Sequence, residues 1–152
     1  MNRAEMIASL QAFPYEPAEY WVIAGGAMVL YGIREESSDI DLGCTTTLAD
    51  RLEQEGYLYK VSEDGNRWFK IGENIEVFEN WIYDTTERVC GIPVISLQGL
   101  IEMKKRLGRE KDLLDISLIH DFLARRNDKA KGKTDEFSSE KTERITPDHI
   151  KF

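Results

Sequence analysis

The chain has 152 residues, 28 of them acidic against 20 basic, for a formal net charge of −8 at pH 7. That length fits one domain with a proper core. No apolar run approaches the roughly 20 residues that span a bilayer, and the acidic balance disfavours broad, non-specific nucleic-acid binding, which needs Lys and Arg to neutralise phosphates. A local basic patch gripping one RNA end stays compatible with it. Met1-Asn2-Arg3-Ala4-Glu5-Met6 lacks the apolar stretch of a secretory signal. Cys44 and Cys90 make neither a disulfide framework nor a metal-ligand pair. A cytoplasmic address, with no membrane involvement, is the expectation.

Residues 2 to about 12 predict a short amphipathic helix with Met6, Ile7 and Leu10 at helical spacing, broken by Pro14 and Pro17. Tyr20-Trp21-Val22-Ile23-Ala24 predicts a buried strand. Gly25-Gly26 predicts a tight turn into a helix carrying Met28, Val29, Leu30 and Tyr31 and ending at Gly32. Ser38-Asp39-Ile40-Asp41-Leu42 predicts a second strand. A helix capped by Thr46 or Thr47 runs through Leu48, Leu52 and Glu55 to Gly56.

Strands then follow at 57–61, 67–71, 74–78 and about 89–95, with Asp64-Gly65-Asn66 and Gly72 as turns. Ser96 caps a helix over 97–107, Gly108 interrupts, and a second helix covers about 111–124. Residues 1–127 therefore predict one α/β (α+β) domain, a mixed sheet packed by helices. From Asp128 to Phe152 the charges balance and apolar residues are few, which predicts a weakly ordered tail or one that folds on a partner.

Side chains alternate along a strand, so Asp39 and Asp41 share a face while Ile40 and Leu42 point to the core. Aspartate is depleted in strands. Two on one face suit either a solvent-facing edge strand or a divalent cation held between them. Gly25-Gly26 suits an ordinary strand-to-helix turn or a close backbone approach to a phosphate. Twelve residues, Ala27 to Ser38, separate the glycines from Asp39, enough for a short helix and a return loop that set turn and acids side by side.

Ala24-Gly25-Gly26 followed by Asp39-Ile40-Asp41 resembles the hallmark of the DNA polymerase β-like nucleotidyltransferase superfamily. Arg34 before Ser37-Ser38-Asp39 is similar to the small bacterial members, the abortive-infection toxin type and the lincosamide and aminoglycoside nucleotidyltransferases. Ile95-Ser96-Leu97, Lys104, Gly108-Arg109-Glu110-Lys111-Asp112 and Asp115 resemble the segment that follows in them. The similarity spans roughly residues 20–123.

The resemblance implies a polymerase β-like fold and transfer of a nucleoside monophosphate from an NTP to an acceptor hydroxyl by two-metal catalysis with Mg²⁺ or Mn²⁺. It makes Asp39, Asp41 and Glu76 the metal-holding and catalytic acids, Glu76 being the third acid of Ile75-Glu76-Val77, with Glu79 on the opposite strand face. Gly25, Gly26, Arg34, Ser38 and Lys104 would bind nucleotide. Lys104 continues the apolar stripe of Leu97, Leu100 and Ile101 and meets either a phosphate or Asp112 and Asp115. The acceptor stays open among an RNA or tRNA end, a protein and a small antibiotic. An antitoxin or a second copy of the chain would be its partner. A non-catalytic nucleotide- or partner-binding module and a structural subunit are the rivals.

Overall fold

The computed structural model describes residues 1–81 and 85–132. Seven strands form one mixed sheet: β1 Tyr20–Ile23, β2 Ile40–Cys44, β3 Tyr59–Val61, β4 Arg67–Ile71, β5 Ile75–Glu79, β6 Thr86–Val89 and β7 Ile92–Ile95. Their order is β3-β4-β5-β2-β1-β7-β6. β2 pairs with β5 and β1 with β7 in parallel, and the remaining neighbours run antiparallel. The helices are α1 Arg3–Gln11, α2 Ala24–Leu30, α3 Thr46–Gln54, α4 Leu97–Leu107 and α5 Glu110–Gly132. The expected mixed sheet packed by helices is the observed architecture.

The core follows from strand alternation. Val22, Ile40, Leu42, Cys44, Phe69 and Val77 are buried in one cluster with Met6 and Leu10 of α1, Met28 of α2 and Leu48 and Leu52 of α3. Local chemistry sets the helix ends. Asn2 and Glu5 form a reciprocal capping box on α1. The Thr45 hydroxyl, one residue before the expected cap, accepts from the Leu48 amide. Ser96 caps α4 as expected, and Gly108 closes it with φ +60°.

Three expectations need correction. The turn after β1 is made by Ala24, which takes φ +56°, while Gly25 and Gly26 lie inside the first turn of α2. The strand expected over 89–95 is a hairpin, β6 and β7, because Cys90 and Gly91 both adopt positive φ (52° and 79°). Two such residues in succession suit the right-handed twist of paired strands. The last helix reaches Gly132 instead of Ala124, so Asp128–Gly132 of the expected tail are helical. Residues 133–152, with Ile145, Ile150 and Phe152, lie outside the described residues.

Candidate active site on the open face of the sheet

β2 and β5 lie in parallel register with Asp41 beside Glu76 and Gly43 beside Phe78. Parallel neighbours in register share a face. Asp41 and Glu76 therefore project side by side from strands about 4.8 Å apart. Asp39, expected on this strand, stands one residue before β2, and its charge acts on the Asp41 carboxyl. Opposite Glu76 across the β4–β5 pair stands Lys70, which is exposed. Glu79 faces the other way and is buried against Arg67, whose guanidinium donates to it at 2.8 and 3.0 Å. Glu76 and Glu79 thus lie on opposite faces of β5, as alternation predicts.

Asp41 carries the electrostatic signature of this convergence. Its Oδ1 is buried with no hydrogen-bond partner. Burial, then the charge of Glu76, then that of Asp39 push its carboxyl up to about 6 from an ordinary 3.8. A buried anion beside two like charges is unfavourable unless a cation compensates. Hard carboxylate oxygens suit Mg²⁺ or Mn²⁺, so Asp41 and Glu76 are of the right donor type for such an ion. Among the described residues no group of three His, Cys, Asp or Glu side chains is placed to hold a metal ion. Asp41 and Glu76 share a face and a register but form no coordination shell.

Beside them sits the glycine corner. Ile23 pairs with Asp41, so the chain turns at Ala24 next to the acids. A Cβ on Gly25 would fall 2.9 Å from Ser37 Oγ and 3.5 Å from Arg34 Nη1. Ser37 Oγ donates to the Asp39 carbonyl at 3.2 Å, tying the corner to the acid strand. Gly26 is buried, and a Cβ there would meet Val22 Cγ1 at 3.2 Å. It serves close helix–sheet packing and does not line the site. Ser38 is exposed, and the hydroxyl at the corner is that of Ser37.

No protein-family model matches the chain, and no curated protein does. Among solved structures it is similar to the crystal structure of a proposed nucleotidyltransferase from Thermotoga maritima, at 17% identity and a TM-score of 0.45, over 81% of this chain and 91% of that one. The chemistry of the site rests on its own side chains.

Arg34 and Lys104 belong to a buried ion cluster between the loop after α2 and helices α4 and α5. Arg34 Nη2 donates to Asp115 Oδ1 at 2.5 Å. Lys104 Nζ lies 2.9 Å from Asp115 Oδ2 and 3.6 Å from Asp112 Oδ1. Arg109 donates to Asp112 at 2.7 and 3.2 Å and holds that carboxyl below the usual range. Of the two partners weighed for Lys104, the one seen is the aspartate pair. The cluster fixes one side of the Arg34 guanidinium and leaves Nη1 facing Gly25.

A cleft of about 630 Å³ opens from Asp41, Ile23 and Ala24 over β5 and β4. Trp68, Phe78 and Trp81 line it with Met103 and Leu107 of α4, the bases Lys60, Arg67 and Arg109, and the acids Asp41, Asp64 and Glu79. The face here depends on Gly43. A Cβ on that residue would lie 2.2 Å from Trp21 Nε1 and 2.4 Å from the Trp81 carbonyl. Its absence lets the Trp21 indole cross β2 and donate to that carbonyl at 3.0 Å. Lys70 had no sequence signal of its own. Its place opposite Glu76 follows from strand pairing.

Proposed function

We propose that the protein is a metal-dependent nucleotidyltransferase that moves a nucleoside monophosphate from an NTP to an acceptor hydroxyl. The observation that supports this reading is the β2–β5 register, which sets Asp41 beside Glu76, with Ile23 paired to Asp41 just before the Ala24 turn. It adds two acids on adjacent strands to the motif resemblance.

Asp39, Asp41 and Glu76 would hold Mg²⁺ or Mn²⁺. When bound, such ions neutralise phosphate charge and acidify an attacking hydroxyl. Gly25, without a Cβ, lets Ser37 and Arg34 close on the start of α2, where phosphate oxygens would meet them. Arg34, anchored through Nη2 on Asp115, offers Nη1 to them in a fixed orientation. Ser38 adjoins Asp39 at the phosphate side. Lys104 acts on nucleotide through Asp115, which it neutralises and holds. Glu76, on the outer side of the acid pair, takes the acceptor proton. The work of these residues is positioning and charge stabilisation.

The open arrangement of the three acids favours one second reading, a non-catalytic nucleotide-binding module. Incubation with α-labelled NTPs and cell RNA, cell protein, aminoglycosides or lincosamides separates the two. We expect label on one acceptor class, dependent on Mg²⁺ or Mn²⁺, and lowered at least about a hundredfold by Asp41→Ala. Tight NTP binding with no labelled product from any acceptor would favour the binding module.

A further inference from the structure

The open face of the sheet carries an aromatic row that nucleotidyl transfer at the acids leaves unused. Lys60, Trp68 and Phe78 occupy one cross-strand line on β3, β4 and β5, in register with Gly43 of β2. The Trp68 and Phe78 rings stack with centroids 5.6 Å apart and planes within 14°. Trp81 follows, tilted, 6.5 Å from Phe78. Lys60 Nζ sits 5.5 Å from the Trp68 ring centroid. Trp68 remains 39% exposed, unusual for a large aromatic in a stack. Lys60, Arg67 and Arg109 line this cleft together with Asp41, Asp64 and Glu79; Arg67 is paired with Glu79 and Arg109 with Asp112, and Lys60 lies over the Trp68 ring.

Its position relative to the acids decides what it would hold. The Gly25, Ser37 and Arg34 corner lies at the start of β2, beside Asp39 and Ile40. The aromatic row lies past Asp41 and Glu76 in the direction of both strands, and outward across β5 and β4. In-line displacement puts the attacking oxygen and the departing pyrophosphate on opposite sides of the α-phosphorus. With the triphosphate at the corner, the acceptor arrives from the side of Glu76, where the row stands.

We propose that the Trp68–Phe78 stack is a platform for a nucleobase of the acceptor, so that the acceptor is a single-stranded nucleic-acid end. The proposal rests on the nucleotidyltransferase reading of the adjoining acids. The terminal hydroxyl oxygen forms a bond to the α-phosphorus, the bond from that phosphorus to the α,β-bridging oxygen breaks, pyrophosphate leaves, and the hydroxyl proton passes to Glu76. The penultimate base lies on Trp68 in place of the Lys60 ammonium. An exposed cation–π contact is weaker than base-on-indole stacking, and the displaced ammonium is then free to meet a backbone phosphate. Stacking of this kind tolerates any base. A sugar antibiotic without a planar ring would have nothing to set on the platform.

The test is fluorescence anisotropy of a 5′-fluorescein RNA tetramer of mixed sequence with a free 3′-hydroxyl, titrated with full-length chain. Beside it runs the steady-state transfer assay with NTP and tetramer varied in turn. Trp68→Ala should weaken tetramer binding and raise its KM by about tenfold or more, with the NTP KM unchanged. Trp68→Phe should recover most of that loss. Equal tetramer binding by wild type and Trp68→Ala, or none by wild type, overturns the platform. So does a raised NTP KM with the tetramer KM unmoved, which would place the nucleotide's own base on the stack. Tetramer binding that depends on Trp68 without any label transfer supports the platform and strikes the transferase reading instead.

Discussion

At Asp41, burial and two neighbouring carboxylates all favour the protonated form. The consequence for stability has a definite sign. The folded carboxyl titrates near 6 against 3.8 for the free group, so the folded state holds its proton more tightly. The stability this contributes is complete below about pH 4 and is lost as pH rises through about 6. Two pH units correspond to about 3 kcal/mol. The open side of the carboxylate screens part of that, leaving about 1–2 kcal/mol. Asp41→Asn should therefore stabilise the metal-free protein by about that amount at pH 7.5 and by nearly nothing at pH 4, as read by urea unfolding at each pH. Saturating Mn²⁺ should narrow the difference at pH 7.5, because only the carboxylate gains from the cation. At this scale the sequence was informative where period-two alternation applies, as for Asp41 between the buried Ile40 and Leu42. It misled at Gly25-Gly26, because conformational freedom suggests that glycine makes a turn. The turn is instead held by Ala24 at φ +56°, and the glycines remove side chains that would meet Ser37 and Val22.

Among the elements, α4 and α5 are joined by charge as well as by apolar contact. Lys104, Asp112 and Asp115 are each at most 5% exposed. A buried charge stripped of its partner is strongly destabilising. Lys104→Met should destabilise the fold by about 3 kcal/mol or more in denaturant unfolding, since Asp115 would keep only Arg34 and Asp112 only Arg109. The helical stripe pointed to this lysine as out of place among apolar neighbours, and the spacing of Asp112 and Asp115 supplied its partners. The β6–β7 hairpin was not legible, because Cys90-Gly91 inside an apolar run does not advertise two positive-φ residues. The full length of α5 was hidden by the polar run Arg125-Arg126-Asn127-Asp128. There the helix is tied to the sheet by Arg126, which donates to Glu87 at 3.1 Å.

For the whole molecule, the sheet order brings together residues far apart in the chain. Composition and alternation indicated a mixed sheet, but not that β5 would pair with β2 or that β4 and β3 would extend the same face. The third acid and the aromatic cleft depend on that order. Asp41 stands between the Gly25 corner, where Ser37 and Arg34 close in, and a cleft lined by Trp68, Phe78 and Trp81. The central claim is that Asp39, Asp41 and Glu76 share a cation that a nucleoside triphosphate also touches. The most direct measurement follows the free Mn²⁺ signal by electron paramagnetic resonance during titration with the protein, with and without α,β-methylene ATP, beyond what the analogue takes up alone. The account predicts Mn²⁺ binding by the wild type that the analogue tightens about tenfold or more, with both effects lost in Asp41→Asn. Equal Mn²⁺ binding by wild type and Asp41→Asn, or binding indifferent to the analogue, would contradict it.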